Sequence, residues 1–157
     1  MEPTAPVAFS AHDHGKCQQR TLDRAEHDGL RLTKWRRRVL EILLEDHHSL
    51  GAYDILERLG RGEAKPQPPT AYRALDYLVE HGLAHRIEKL NAYVACAHPG
   101  ACERAGFIVC KRCHIVAEVE CGAAEAGLLS AAATSGFAAE QSVMEVEGVC
   151  AACQVEG

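Results

Sequence analysis

The sequence predicts an α/β fold of the α+β kind, with a helical N-terminal half and a smaller C-terminal unit built on strands. Three observations predict it. Amphipathic helical patterns separated by glycines and prolines fill residues 16–82, two strand-like segments follow within 83–96, and two C-x-x-C pairs bracket the last third of the chain. A chain of 157 residues can bury a core, or it can divide into two small domains.

The composition favours a soluble protein of the cytoplasm. No N-terminal stretch has the basic and then apolar layout of a signal peptide, and no run of about 18 apolar residues could span a membrane. Eight cysteines in such a chain favour metal ligands over disulfides, because the cytosol keeps thiols reduced.

Three short helices are predicted first, after a polar segment at 1–15 that is expected to be disordered. The first helix covers about 16–27 and ends at Gly29, which provides a left-handed stop. Thr33 caps the second helix and Gly51 precedes the third. The apolar residues at helical spacing are Trp35, Val39, Ile42 and Leu43 in the second helix, and Ile55, Leu56 and Leu59 in the third.

A fourth helix carries residues suited to reading DNA. The prolines between 66 and 69 predict a loop that cannot be helical, after which Thr70 is a good N-cap. On a helical wheel Thr70, Arg73 and Tyr77 fall on the exposed side, and Tyr72 lies at the edge of the buried side. Such a helix suits the recognition element of a helix-turn-helix, although an ordinary amphipathic helix explains the same pattern.

A β-hairpin is predicted after Gly82. Two alternating segments, 83–88 and 92–96, flank a turn at Leu90 and Asn91. Helices followed by a hairpin describe a winged helix-turn-helix. The predicted divisions are a disordered N-terminus at 1–15, a winged-helix domain at 16–94, a hinge at 95–100 and a C-terminal domain at 101–157.

The net charge of −5 comes entirely from the C-terminal part. Residues 1–94 carry 14 Lys+Arg and 14 Asp+Glu, whereas residues 95–157 carry 3 and 8. The basic groups bunch in "RLTKWRRR" at 31–38. Such a patch can contact phosphates, but it is equally usual on a solvated helix face.

The two C-x-x-C pairs, Cys110/Cys113 and Cys150/Cys153, have the composition of a complete tetrahedral thiolate site. Each pair presents two sulfurs with the bite that zinc accepts at Zn–S distances of about 2.3 Å. Four sulfurs leave no position for water, so the pattern predicts a structural zinc. Disulfides, or one redox-active pair, are the alternatives.

A structural unit must lie between the pairs, because 36 residues separate Cys113 from Cys150. "GFIVC", "HIVAEVEC" and "AEQSVMEVEG" are strand-like, and "GAAEAGLLSAAATSGF" is a helix of small residues. We expect a three-stranded antiparallel sheet with one helix packed on it. Cys17 and Cys121 have no clear partner and are interpreted as spare thiols.

Several segments together resemble the ferric uptake regulator family, and more narrowly its zinc uptake regulator branch. They are "LRLTKWRRRVLEILL", "GAYDILERL", "PPTAYRALDYLVEHGLAHRIE", "NAYVAC", "FIVCKRC" and "GVCAAC", in one order from about residue 17 to 155. The resemblance implies a homodimer in which the C-terminal α/β domain is the dimerisation domain. It also implies a regulator rather than an enzyme: a zinc-loaded repressor that binds palindromic double-stranded operator DNA at zinc-uptake genes.

The resemblance further implies a regulatory zinc, with ligands from the wing, the hinge and the dimerisation domain: His85, Cys96, Cys102 and Glu118. Relatives usually carry a His seven residues before the first knuckle cysteine, where Glu103 stands here. Cys102 is the better zinc ligand, so we expect it in the fourth position, with Glu103 and His98 as substitutes. Each subunit would then hold two zinc ions, unless His85 is a plain wing residue and Cys96 a small buried hydrophobe.

The predicted DNA contacts divide into two groups. Base contacts are expected from Tyr53, Tyr72 and Arg73, since an arginine can bind guanine with two hydrogen bonds. Phosphate contacts are expected from Thr70, Arg36 and Lys65.

Three other functions stay open on the sequence. A redox switch of the same fold would release DNA when Cys96 or a knuckle pair is oxidised. A sensor of iron, manganese or nickel is another, although a soft thiolate at Cys96 favours zinc over iron or manganese. A zinc hydrolase would use Glu118 as a general base, but no substrate pocket is predicted.

Overall fold

The chain forms two compact units, and the division between them falls between residues 101 and 102. The computed structural model describes residues 14–45, 47–62, 65–100 and 104–155. The hinge expected at 95–100 directly precedes the division. Most of the segment expected to be disordered lies outside the described residues.

Four helices make up most of the first unit: α1 (His14–His27), α2 (Lys34–Leu43), α3 (Ala52–Leu59) and α4 (Pro68–Glu80). The helix α1 starts two residues earlier than predicted. It ends before Gly29, whose φ of +65° is the expected left-handed stop. Thr33 caps α2 as predicted, because its side chain accepts a hydrogen bond from the Arg36 backbone N–H at 3.5 Å.

The start of α4 corrects the prediction for this segment. Pro68 and Pro69 form the first turn of the helix, and Gln67 rather than Thr70 is the N-cap. A proline fits the first turn because the N–H it lacks would have no partner within the helix, and its fixed φ is already helical. Thr70 therefore lies inside the first turn, half-buried.

An antiparallel hairpin of β1 (Ala84–Ile87) and β2 (Ala92–Ala95) follows α4. Asn91 forms its turn as predicted, with φ +47°. Just after β2, the backbone N–H of Cys96 donates to the Leu83 carbonyl at 3.0 Å. The pairing therefore extends to a residue predicted to bind zinc.

The core of the first unit lies between the helices and this hairpin. Its fully buried side chains include Leu40, Ile55, Leu75, Leu78 and Leu83. Burying each of them contributes on the order of 1.5–3 kcal/mol. This packing fixes one face of α4 and leaves Tyr72 and Arg73 exposed on the other.

The second unit contains three strands and two helices: β3 (Ala105–Cys110), β4 (Val116–Glu120), α5 (Gly122–Thr134), β5 (Glu145–Gly148) and α6 (Ala151–Val155). The strand order is β4–β3–β5, with β4 antiparallel and β5 parallel to β3. The prediction of an antiparallel sheet was therefore wrong for β5. The helix α5 leads away from the end of β4, and residues 135–144 return the chain to the same end of the sheet, so β5 runs alongside β3.

The helix α5 is apolar, yet none of its residues is buried. Leu128 is 53% exposed and Leu129 is 39% exposed. On the neighbouring sheet Ile108 and Val146 are 40% and 61% exposed. None of the described helices is long and apolar enough to cross a membrane.

Candidate metal centres and nucleic-acid interface

The parallel pairing of β3 and β5 brings the two C-x-x-C pairs together. Cys110 is the last residue of β3 and is opposite Gly148, the last residue of β5. Because parallel strands end at the same edge of a sheet, the turns that follow both strands leave from one place. The backbone N–H of Lys111 donates to the Gly148 carbonyl at 2.9 Å and ties the first turn to β5.

The four sulfurs form a compact cluster within the second unit. The Sγ atoms of Cys110, Cys113, Cys150 and Cys153 all lie within 4.8 Å of one another. Those of Cys113 and Cys150 are 3.7 Å apart. Sulfurs bound to one tetrahedral zinc at about 2.3 Å would be about 3.8 Å apart, so the cluster fits zinc.

Backbone donors prepare one of these sulfurs to be a thiolate. N–H groups of Cys113 and Cys150 point at the sulfur of Cys110, the second at 3.4 Å, and lower the pKa of that thiol from 9.0 to about 6. Hydrogen bonds to neighbouring sulfurs, above all Cys150, raise the pKa of Cys153 to about 12. Burial raises the pKa of Cys113. Without a metal the cluster therefore shares protons among its sulfurs, as expected of thiols crowded around a place for a cation.

Two further side chains that could bind a metal lie at the hairpin of the first unit. A ring nitrogen of His85, in β1, and the Sγ of Cys96 are within 4.8 Å of each other. Cys96 is completely buried. In the structure its sulfur is disulfide-bonded, so it can serve as a thiolate ligand only after reduction.

The other predicted regulatory ligands belong to different parts of the chain. Glu118 is half-buried in β4, opposite Phe107 of β3. His98 is exposed, two residues after Cys96. Cys102 and Glu103 lie outside the described residues.

The residues predicted to contact bases are exposed in the first unit. Tyr53, in the first turn of α3, is 82% exposed. Tyr72 is 42% exposed and its neighbour Arg73 is also exposed, both in the first half of α4. The Asp54 carboxylate accepts the Gly51 backbone N–H at 3.1 Å and so caps the turn that carries Tyr53.

The sequence profile of the ferric uptake regulator family matches residues 27–147. The chain belongs to the ferric uptake regulator family. Within it, the chain is 35% identical over 154 residues to the zinc uptake regulation proteins of Escherichia coli strain K12 and Shigella flexneri, covering 98% of this chain and 85% of each relative.

Solved structures of the family include close matches to the fold. A zinc uptake regulator complexed with zinc and DNA is 33% identical, with a TM-score of 0.81 over 92% of this chain and 98% of that one. A holo XcZur crystal structure is 34% identical, with a TM-score of 0.76 over 88% and 96% of the two chains.

Tyr77 is less exposed than the sequence predicts. Tyr77 is half-buried and packs against the core, although the helical wheel placed it on the exposed side of α4. The Arg36 guanidinium lies over its ring, 3.5 Å from the centroid. The wheel could not reveal this contact, because α2 supplies the other partner from 41 positions earlier in the sequence.

The Arg36 side chain is held in the structure, not extended freely into solvent. Its Nη1 donates to the Arg31 carbonyl at 2.9 Å. Lys65, the other predicted phosphate contact outside α4, is exposed in the segment before Gln67. Cys121 is a free thiol, as expected, whereas the side chain of Cys17 lies outside the described part.

Proposed function

We propose that this protein is a zinc-responsive transcriptional repressor of the cytoplasm, a regulator and not an enzyme. As a zinc-loaded homodimer it binds palindromic operator DNA and represses zinc-uptake genes. Each subunit holds two zinc ions, a structural ion on the four knuckle cysteines and a regulatory ion at the hairpin.

The observation that carries this proposal is the sulfur of Cys96 beside the imidazole of His85. Zinc accepts mixed sulfur and nitrogen ligands, whereas iron(II) and manganese sites favour imidazole and carboxylate. A buried cysteine in this place therefore supports a zinc sensor over an iron or manganese sensor. The similarity to zinc uptake regulation proteins supports the same choice.

We propose Glu118 and Cys102 as the remaining regulatory ligands, with Glu103 and His98 as substitutes for Cys102. When bound there, zinc supplies a crosslink between the hairpin, the hinge and the dimerisation domain. His85 lies in β1, and Cys96 is hydrogen-bonded to Leu83 just after α4, so fixing both residues restricts the orientations of the DNA-reading helix. Such a restriction raises the fraction of dimers that can bind DNA, a coupling on the order of 1–3 kcal/mol.

The exposed apolar residues of the second unit support a homodimer. An apolar helix without a single buried residue is unusual on a lone protein surface, because contiguous exposed apolar patches mark interaction sites. Leu128, together with Ile108 and Val146 of the sheet, would be removed from water by a second copy.

DNA binding is supported by the arrangement of α3 and α4. Both helices present tyrosines to solvent near their N-terminal ends, and Arg73 follows Tyr72 on the same exposed surface. Arg73 suits two hydrogen bonds to guanine, worth about 1–3 kcal/mol of discrimination. The solved zinc uptake regulator of similar fold is itself complexed with zinc and DNA.

The decisive experiment measures DNA affinity against free zinc under full reduction, so that Cys96 is a thiol. Operator duplexes are first selected from a random library with the zinc-loaded full-length protein, and binding is then followed by fluorescence anisotropy. We expect tight binding with zinc and loss of binding when a chelator removes the regulatory ion. Zinc-independent binding that is lost only on oxidation would instead identify a redox switch.

The DNA-reading assignment has a separate test. Arg73→Ala should abolish preference for the selected duplex over an unrelated one and leave zinc content at two ions per subunit. Arg20→Ala, which removes an exposed positive charge from α1, is the matched control and should keep the preference. Loss of zinc in Arg73→Ala would show that the residue supports the fold and not the readout.

A further inference from the structure

We propose that Tyr77 is a positioning residue for DNA binding, which holds the Arg36 guanidinium in place for a phosphate. The inference rests on the proposed DNA-binding function and concerns how one of its contacts is prepared. Tyr77 itself would touch no DNA.

The first support is the stacked geometry between two helices. The Arg36 guanidinium carbon is 3.5 Å from the centre of the Tyr77 ring, a distance at which a cation is attracted to the ring face. The Arg31 carbonyl holds Nη1 at 2.9 Å. Because a guanidinium has five N–H donors, one such bond leaves others for a phosphate.

The second support is that the ring is itself fixed. Tyr77 packs against the hydrophobic core of the first unit. One turn later the His81 ring lies 4.0 Å from the Tyr77 ring, centroid to centroid, and its Nδ1 is 2.8 Å from the Tyr77 carbonyl oxygen. Because the Tyr77 ring is held by both the core and His81, it restricts the Arg36 guanidinium more than a mobile ring would.

The third support is the place of the stack on α4. Tyr77 follows Arg73 by four residues, so the two are neighbours along one side of the helix. The guanidinium of Arg36 therefore lies one helical turn from the predicted guanine contact. This is a suitable place for a contact that sets the register of the helix on the DNA backbone.

The physical consequence is a lower entropic cost of binding. A free arginine side chain loses many rotamers when it binds a phosphate, and a side chain already ordered by a ring loses fewer. Removing the ring should therefore weaken DNA binding only through Arg36.

A double-mutant cycle on the zinc-loaded dimer tests this with the selected operator duplex and an unrelated duplex. Arg36→Gln should weaken binding to both duplexes by roughly three- to tenfold and lower the salt slope by about 1, as expected for one phosphate contact. Tyr77→Leu should weaken binding roughly two- to fivefold. The double variant should bind no more weakly than Arg36→Gln alone, whereas additive losses would overturn the proposal.

Two variants separate positioning from a merely structural role. Tyr77→Phe keeps the ring and should therefore bind DNA with the affinity of the wild type, unlike Tyr77→Leu. Arg37→Gln removes the neighbouring exposed charge, which has no ring beneath it among the described contacts, and its loss should add to that of Tyr77→Leu. Coupling of Arg37 to Tyr77 as strong as that of Arg36 would overturn the proposal.

A DNA-free measurement keeps the proposal testable if Tyr77→Leu loses stability. The side-chain protons of Arg36 should be shifted upfield by the ring in NMR spectra of the wild type and of Tyr77→Phe. An unshifted, mobile Arg36 in the wild type would overturn the proposal. If Arg36→Gln leaves affinity unchanged while Arg73→Ala abolishes the duplex preference, this inference fails and the proposed function stands.

Discussion

The four-cysteine cluster and the His85–Cys96 pair are two groups of potential metal ligands with opposite arrangements. The cluster is complete within one unit, and its sulfurs lie at the spacing of a tetrahedral zinc. The pair in the hairpin supplies two donors, and further ligands must come from elsewhere. A closed site suits permanent structure, whereas a site that needs ligands from several segments can change geometry with metal occupancy.

The second unit has few buried side chains, which strengthens the contrast between the two groups of ligands. Among residues 104–155 the buried apolar side chains are few and include two of the knuckle cysteines: Phe107, Val109, Cys110, Val116 and Cys153. So small a core cannot stabilise the unit alone, and small scaffolds usually need a metal or a disulfide.

The largest expected effect is therefore at the cluster. Cys113→Ala should remove the structural zinc and unfold the second unit, because structural zinc contributes roughly 10–16 kcal/mol of binding energy to folding. Zinc content by mass spectrometry and far-UV circular dichroism would measure the two losses. Cys121→Ser is the matched control and should change neither; a folded, dimeric Cys113→Ala would refute the structural role.

The second effect concerns the hairpin. Cys96→Ser should lower DNA affinity at saturating zinc by about 5- to 150-fold, the usual range of coupling between two sites. It should leave one tightly held zinc per subunit and a nearly unchanged melting temperature. An equal loss of stability in Cys96→Ser and Cys113→Ala would remove the distinction between the two metal sites.

A smaller effect tests how tightly the second unit packs apart from its metal. Gly106 of β3 lies under the Cys121 side chain, whose sulfur would clash with a Cβ placed there. Gly106→Ala should destabilise the unit by about 1–3 kcal/mol in denaturant unfolding, as overpacking does. Gly127→Ala, in open space on α5, should be neutral or stabilising by about 0.5–1 kcal/mol.

Removing the Cys121 sulfur gives the control for the unfolding measurement on Gly106→Ala. Gly106→Ala combined with Cys121→Ala should recover most of the lost stability, since the crowding sulfur is gone. If the double variant does not recover stability, the loss in Gly106→Ala comes from the backbone of β3 and not from the contact with Cys121.

The smallest expected effect is on the number of protons that zinc binding releases from the cluster. The pKa of Cys110 is lowered to about 6, so at pH 7.5 it is already a thiolate, while Cys153, with a pKa of about 12, is protonated. Zinc binding to the reduced, metal-free cluster should therefore release fewer than four protons at pH 7.5 and approach four as the pH falls below 6. Calorimetry in buffers of different ionisation enthalpy counts them, and four protons at pH 7.5 would contradict the lowered pKa.

Local features of the fold could be predicted from the sequence because local rules govern them. Thr33 and Gly29 each cap or stop a helix through atoms a few residues away. The two C-x-x-C pairs could be identified for the same reason, since each such turn is local. The predicted N-cap was wrong at α4, because the prolines were interpreted as helix breakers although the first turn of a helix accepts them.

Features that depend on distant segments could not be predicted. Whether Tyr77 faces solvent depends on Arg36 of another helix, which helical periodicity does not reveal. The direction of β5 depends on the return path of residues 135–144. One signal was available: β3 ends in one knuckle and β5 leads into the other, and four sulfurs can meet only if both strands end at the same edge.

The parallel pairing of β3 with β5 also predicts an order of assembly. The β3–β4 hairpin closes over a few residues, whereas β5 can join only after α5 and the returning segment have been crossed, and distant pairing is intrinsically slow. We therefore expect the first C-x-x-C turn to form before the second one joins it. Tight uptake of the proposed structural ion should therefore mark the last step in the folding of this unit.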